Sequence, residues 1–161
     1  MPAAPIIDIS DLDFENPKAG QETIEKINPH RGHMRHLDAV AHWDRKQGVG
    51  WKNVHEDEFW VAGHIPGRPL LPGVLMVEAA AQLSSFIVLM ADEDDGTREA
   101  SPFLGFTRCD DTAFRGQVAP GDRLVLIADL LSKNKRRFVS RCQGFVEGRL
   151  AFETKITGMR M

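Results

Sequence analysis

His64 and Glu78 are the residues of this chain whose types and spacing suit acid–base chemistry. They sit in one segment, Gly63-His64-Ile65-Pro66-Gly67-Arg68-Pro69-Leu70-Leu71-Pro72-Gly73-Val74-Leu75-Met76-Val77-Glu78-Ala79-Ala80-Ala81-Gln82. An imidazole titrates near neutrality, so His64 is a natural base for a weak acid. Glu78 falls early in an apolar run, where an unpaired carboxylate is costly and must be neutralised, hydrogen-bonded or used. Apolar surroundings disfavour its ionised form, which suits a proton donor. Pro72-Gly73 opens the helix carrying Glu78, so backbone N–H groups at its positive end are free there, and the Gly73 N–H is the candidate donor to a developing oxyanion. Gln82 shares a helix face with Val74, Glu78, Ala81 and Ser85; it is placed to orient the carboxylate, while Val74 and the small residues border a ligand. Taken singly, His64 reads as a hydrogen-bonded loop residue, Glu78 as an ion-pair partner, and Gly73 with the prolines as turn formers. Their coincidence in one segment favours chemistry.

These residues need a helix and something to enclose it. Residues 74–91 are apolar on nearly every side, which calls for an encircling partner. At ~1.5 Å per residue the helix is about 27 Å long. It contains Glu78, Gln82, Ser84 and Ser85 and runs into Asp92-Glu93-Asp94-Asp95-Gly96, so it reads as a core helix and not as a membrane span. Residues 38–45 and 49–54 flank Gln47-Gly48 as a predicted hairpin, and 123–131, 138–146 and 150–158 read as strands. Ser132-Lys133-Asn134-Lys135 and Glu147-Gly148 are the turns between them. Strands before and after one helix predict an α+β unit with an antiparallel sheet wrapped around it, over residues 23–161, preceded by a tail at 1–22.

Composition narrows the partners. The 161 residues are 42% hydrophobic and 27% charged with a formal net charge of −3, ordinary for a soluble domain and unlike a nucleic-acid binder. The opening residues lack the basic start and apolar core of a secretory signal, which predicts a cytoplasmic setting. Cys109 and Cys142 lie far apart without metal-ligand spacing, which excludes a disulfide scaffold. His30, His33 and His36 recur every third residue, but no cysteine or carboxylate clusters with them; a surface or packing role is expected, with no metal. The run Lys133-Asn134-Lys135-Arg136-Arg137 reads as a solvated turn, and it or Arg68 is a candidate to attract an acidic partner.

The segment from Gly63 to Gln82 closely resembles the signature of bacterial 3-hydroxyacyl-acyl carrier protein dehydratases of the hot-dog fold. Asn28-Pro29-His30-Arg31, Leu37-Asp38-Ala39-Val40, Asp57-Glu58-Phe59-Trp60, Ala113-Phe114-Arg115 and Val118-Ala119-Pro120-Gly121-Asp122 extend the resemblance in order, from about Ile24 to the C-terminus. It implies a curved antiparallel sheet around the long helix, a homodimer, often three dimers together, and a site in which His64 and Glu78 meet across the dimer interface. The implied reaction is loss of water from a (3R)-3-hydroxyacyl chain on acyl carrier protein, with no cofactor. His64 is then the base, Glu78 the acid, Gly73 N–H the thioester donor and Gln82 the support of Glu78. Glu78, where a related branch has aspartate, points to the dehydratase-only branch. Gly32-His33, Met34-Arg35-His36, Ile65, Arg108 and the absence of tyrosine depart from the family pattern around the acyl tunnel. A hot-dog thioesterase, an enoyl-coenzyme A hydratase and a non-catalytic carrier-binding subunit are the competing readings.

Overall fold

The computed structural model describes residues 3–100 and 103–161. The chain forms α1 (Gln21–Ile27), a 3-10 turn (Gly32–Met34), β1 (Ala39–Trp43), β2 (Gln47–Asn53), α2 (Gly73–Asp94), β3 (Leu104–Phe114), β4 (Arg123–Lys133), β5 (Arg137–Val146) and β6 (Arg149–Arg160). All strands join one antiparallel sheet in the order β1-β2-β4-β5-β6-β3. With α2 packed on that sheet, the architecture is the α+β hot-dog arrangement anticipated from the sequence.

The apolar character of α2 is satisfied by the sheet. Fifteen of its 22 residues are buried, so a helix long and apolar enough to cross a membrane is here a core element. Period-two alternation sorts β4: Leu124, Leu126 and Ala128 join the helix-side core, while Val125 and Ile127 join a second cluster on the opposite face. Gly48 of β2 makes room for the Ile87 side chain of α2, because a Cβ there would lie 2.6 Å from Ile87 Cδ1. Any larger residue would force the Ile87 side chain to shift.

The described residues before α1 are irregular in conformation, yet they are laid against the outer face of the sheet. Ile6, Ile7, Ile9, Leu12 and Phe14 cover Val49, Ile127 and Phe145. Ile6 N–H donates to Gln143 Oε1 at 2.8 Å, and Arg123 donates to Phe14 O at 3.0 Å while its guanidinium lies 4.9 Å from the centre of the Trp51 ring. Ala19 exchanges backbone hydrogen bonds with Val40. An apolar outer face is thereby kept from water.

Three local expectations shift. The first hairpin turns at Asp44, whose Oδ1 accepts from Lys46 N–H and Gln47 N–H at 2.7 Å each; Gln47-Gly48, expected as the turn, is already paired with Asp129 and Ala128. A side-chain acceptor beats the glycine as turn former here. The next turn also moves on, with Asn134 Oδ1 accepting from Arg136 N–H and Arg137 N–H. β3 was not anticipated as a strand at all, because its sequence is broken by Asp110-Asp111 and it packs on one side only.

The last turn of α2 buries Asp92, where the negative end of the helix dipole disfavours a carboxylate. Lys133 Nζ at 2.9 Å and the Arg160 guanidinium offset this and tie β4 and β6 to the helix. Asp92→Asn keeps the shape but leaves two cations facing a neutral group. It should destabilise the fold by about 3–5 kcal/mol, read as a lower urea midpoint; an unchanged midpoint would show the triad to be dispensable.

His36 is fully buried between the 3-10 turn and β1, and among the described residues its ring nitrogens have no partner. Burial first, and Lys52 second, push its pKa from 6.5 down to about 4. Between those values the unfolded chain binds a proton that the folded chain refuses, so stability falls as pH drops through that window. His36→Phe should flatten the dependence of unfolding free energy on pH between 6.5 and about 4 relative to the parent; parallel curves would reject a neutral buried ring.

Candidate active site

The loop between β2 and α2 presents His64 through a tight backbone arrangement. Trp60, buried, anchors its start: His64 N–H donates to Trp60 O at 2.8 Å. Ile65 and Arg68 then exchange backbone hydrogen bonds at 3.2 and 2.9 Å around Pro66-Gly67, with Gly67 at φ 77°. That left-handed conformation suits glycine. Leu70 N–H returns to His64 O at 2.9 Å, and His64 Nδ1 lies 2.7 Å from Leu70 O. A carbonyl only accepts, so Nδ1 carries the proton in that bond and Nε2 is left with its lone pair. The loop thus presents an exposed imidazole with its basic nitrogen free.

Glu78 lies a turn and a half into α2 and borders a cavity of about 240 Å³ with His30, Ala81, Gln82, Ser85 and the stretch Phe103 to Phe106. Gln82 Nε2 donates to Glu78 Oε1 at 2.8 Å and to Met34 O at 2.7 Å, while Gln82 Oε1 accepts from His36 N–H at 2.8 Å. Both N–H donors and the oxygen of that amide are engaged, so its orientation is set. His30 Nε2 stands 3.3 Å from the same Glu78 oxygen. Burial pushes the carboxyl up, but the His30 contact, the Gln82 hydrogen bond and the charges of His30 and His36 outweigh it. Glu78 is therefore held below the usual carboxylate range in the single chain. The apolar surroundings read from the sequence are interrupted by these polar groups, which reverses the expected direction.

At the start of α2, Leu75 N–H and Met76 N–H both turn back to Pro72 O, leaving the Gly73 and Val74 N–H groups without an intrahelical acceptor. A Cβ on Gly73 would meet the Phe114 ring at 2.7 Å, so a larger residue there would displace that ring of β3. Val74 is 74% exposed and does not border the Glu78 cavity. Nor does His64, and no contact joins His64 to Glu78 within one chain among the described residues. The structure brings Glu78 and Gln82 together and leaves His64, Gly73 and Val74 outside that cavity.

The histidine series divides. His33 packs edge-on against Phe59, His36 is buried, and His30 reaches Glu78. His30 is the site residue that the spacing of the sequence failed to reveal; its place in Asn28-Pro29-His30-Arg31 was the available signal. No group of metal-ligating side chains forms among the described residues. The basic run sits at the far end of α2, where Lys133 is committed to Asp92. Arg68, exposed beside the His64 loop, donates to Gln117 Oε1 at 3.0 Å.

Comparison with known proteins gives the same architecture an ancestry. Residues 28–155 match the FabA-like domain. The chain is 37% identical over 139 residues to a 3-hydroxyacyl-[acyl-carrier-protein] dehydratase FabZ of Clostridium acetobutylicum, covering 86% of this chain and 95% of that protein. It is 34% identical over 134 residues to the FabZ of Geotalea uraniireducens, covering 83% and 90%. Among solved structures, a chain of the dehydratase heterocomplex ApeI:P from Xenorhabdus doucetiae superposes with a TM-score of 0.75 at 14% identity, over 86% of this chain and 90% of that one. The Campylobacter jejuni protein Cj0977 superposes at 0.66 and 14%, over 91% and 95%. The structural likenesses speak for the fold, and the sequence matches for descent: the chain belongs to the FabA-like family, on its FabZ-type dehydratase branch.

Proposed function

We propose that this protein dehydrates (3R)-3-hydroxyacyl chains on acyl carrier protein to the trans-2-enoyl thioester, in fatty acid or related lipid biosynthesis, in the cytoplasm and without a cofactor. The observation that carries the reading is the Nδ1 bond from His64 to Leu70 O, which leaves Nε2 as a fixed base. His64 Nε2 takes the proton from the carbon beside the thioester carbonyl. The negative charge that develops on the carbonyl oxygen meets the Gly73 N–H at the positive end of α2. Glu78, oriented by Gln82, delivers a proton to the departing hydroxyl directly or through water. Filling the cavity with an acyl chain removes water from around the carboxyl and raises its proton affinity toward that of a donor.

Assembly of the site requires a second copy of the chain, since His64 and Glu78 do not meet within one. Among the described residues β3 pairs only with β6, which leaves its other edge open. The opposite edge of the sheet, β1, is partly covered by Ala19. On β3 itself Phe106 and Phe114, in the His64 loop Ile65 and at the start of α2 Val74 are all exposed apolar side chains. An open edge with such neighbours favours strand addition by a copy of itself. We read the protein as a homodimer with two composite sites, three such dimers associating as a hexamer. Val74 then belongs to the contact between copies, and Arg68 beside the His64 loop faces the acidic carrier.

The test is enoyl-thioester formation from 3-hydroxyacyl-carrier substrates. His64→Asn and Glu78→Gln should each lower kcat by about 10²–10⁴-fold while the fold persists. Free thiol release by the parent would indicate a thioesterase, preference for the coenzyme A ester a hydratase, and binding without turnover a carrier-binding subunit. Jointly refolding the two inactive variants should restore turnover, because mixed dimers then hold one intact site; an inactive mixture would place both residues of a site on one chain.

A further inference from the structure

Glu78 has a second ring beside it that the reaction as written does not use. His30 Nε2 lies 3.3 Å from Glu78 Oε1, the two side chains being 25% and 16% exposed. Gln82 Nε2 also donates to Oε1, so both contacts fall on one oxygen, and Oε2 has no side-chain partner among the described residues. The backbone around His30 is held from two sides. Arg31 Nη1 donates to Asn28 O at 2.9 Å and to His30 O at 2.8 Å, and its Nη2 donates to Glu25 O at 2.7 Å. Asn28 Nδ2 donates to Gln82 O at 2.9 Å, which ties this segment to the turn of α2 that carries the supporting amide. His30 Nδ1 is buried and without a partner among the described residues, so the contact with Glu78 is the ring's polar anchor there.

We propose that His30 is a positioning residue for Glu78: it holds Oε1, leaves Oε2 for the 3-hydroxyl of the substrate, and sets how readily the carboxyl takes up its proton. This rests on the dehydratase reading of Glu78. An imidazole suits the task because it supplies a directional N–H when neutral and an added positive charge when protonated. Of the influences that lower the Glu78 pKa, the His30 contact is the largest, ahead of Gln82. His36, behind Gln82, titrates near 4. Lys52 and Glu58, which also act on His36, are paired at 3.0 Å. His30, in direct contact with the carboxylate, is therefore the ring whose removal changes its proton affinity most.

Carbon-13 titration of the Glu78 carboxyl in the full chain, assigned by its loss in Glu78→Gln, reads the coupling without turnover. In His30→Ala the midpoint should rise, and in His30→Gln, which keeps an N–H but no titratable charge, it should rise by less. The high-pH limb of kcat should move in the same direction. Loss of carboxyl orientation should lower kcat by roughly tenfold or more in His30→Ala with KM within about twofold, and His30→Gln should recover part of it. A Glu78 midpoint that stays put in both variants overturns the proposal; should His30→Ala fail to fold, the midpoint in His30→Gln decides alone. If the parent dehydrates nothing, the dehydratase reading fails, while the titration still decides whether His30 governs Glu78.

Discussion

A helix apolar on all sides that must nevertheless carry a carboxylate is the constraint on which this protein is built. Burial of α2 supplies much of the hydrophobic core, and that burial requires a sheet broad enough to wrap it. The carboxylate survives inside because Gln82, one turn on, commits both N–H donors to Glu78 and Met34 O and its oxygen to His36 N–H. The amide thereby stitches the helix to the segment before β1. The same bonds that make the charge tolerable also make its direction definite, so fold stability and site geometry share their atoms.

The two ends of α2 solve opposite electrostatic problems. At its start, unused N–H groups favour negative charge, and the chain leaves Gly73 small under the Phe114 ring. At its end, carbonyls disfavour the buried Asp92, and cations from β4 and β6 compensate. Cationic groups are thus drawn to the end remote from Glu78. Lys133, the first cation of the basic run conspicuous in the sequence, is accordingly taken up at the helix terminus, whereas the solitary Arg68 stands beside the loop of His64.

Much of the fold was legible because hydrophobic periodicity is strong where burial is two-sided. The long helix and the strands around Leu124, Phe138 and Phe152 announce themselves through runs of apolar and β-branched residues. β3 escaped because it is an edge strand, mostly exposed in the single chain, with Asp110 and Asp111 breaking its pattern. Turns were misplaced where Asp44 and Asn134 side chains, and not a glycine, capture the backbone N–H groups. The described residues before α1 read as a tail because no regular element forms there; their apolar side chains find the outer face of the sheet only once that face exists.

From the sequence alone came the family, the helix, every strand but β3 and the pairing of Glu78 with Gln82, since these depend on residue type and on spacing within one element. The protonation pattern of His64 and the company of Glu78 did not. Leu70 O selects the His64 tautomer through a loop closure, and His30 reaches Glu78 from a distant segment. A pKa responds to whatever charge and dipole lie within a few ångströms, however far away along the chain. Only the folded chain decides which groups those are.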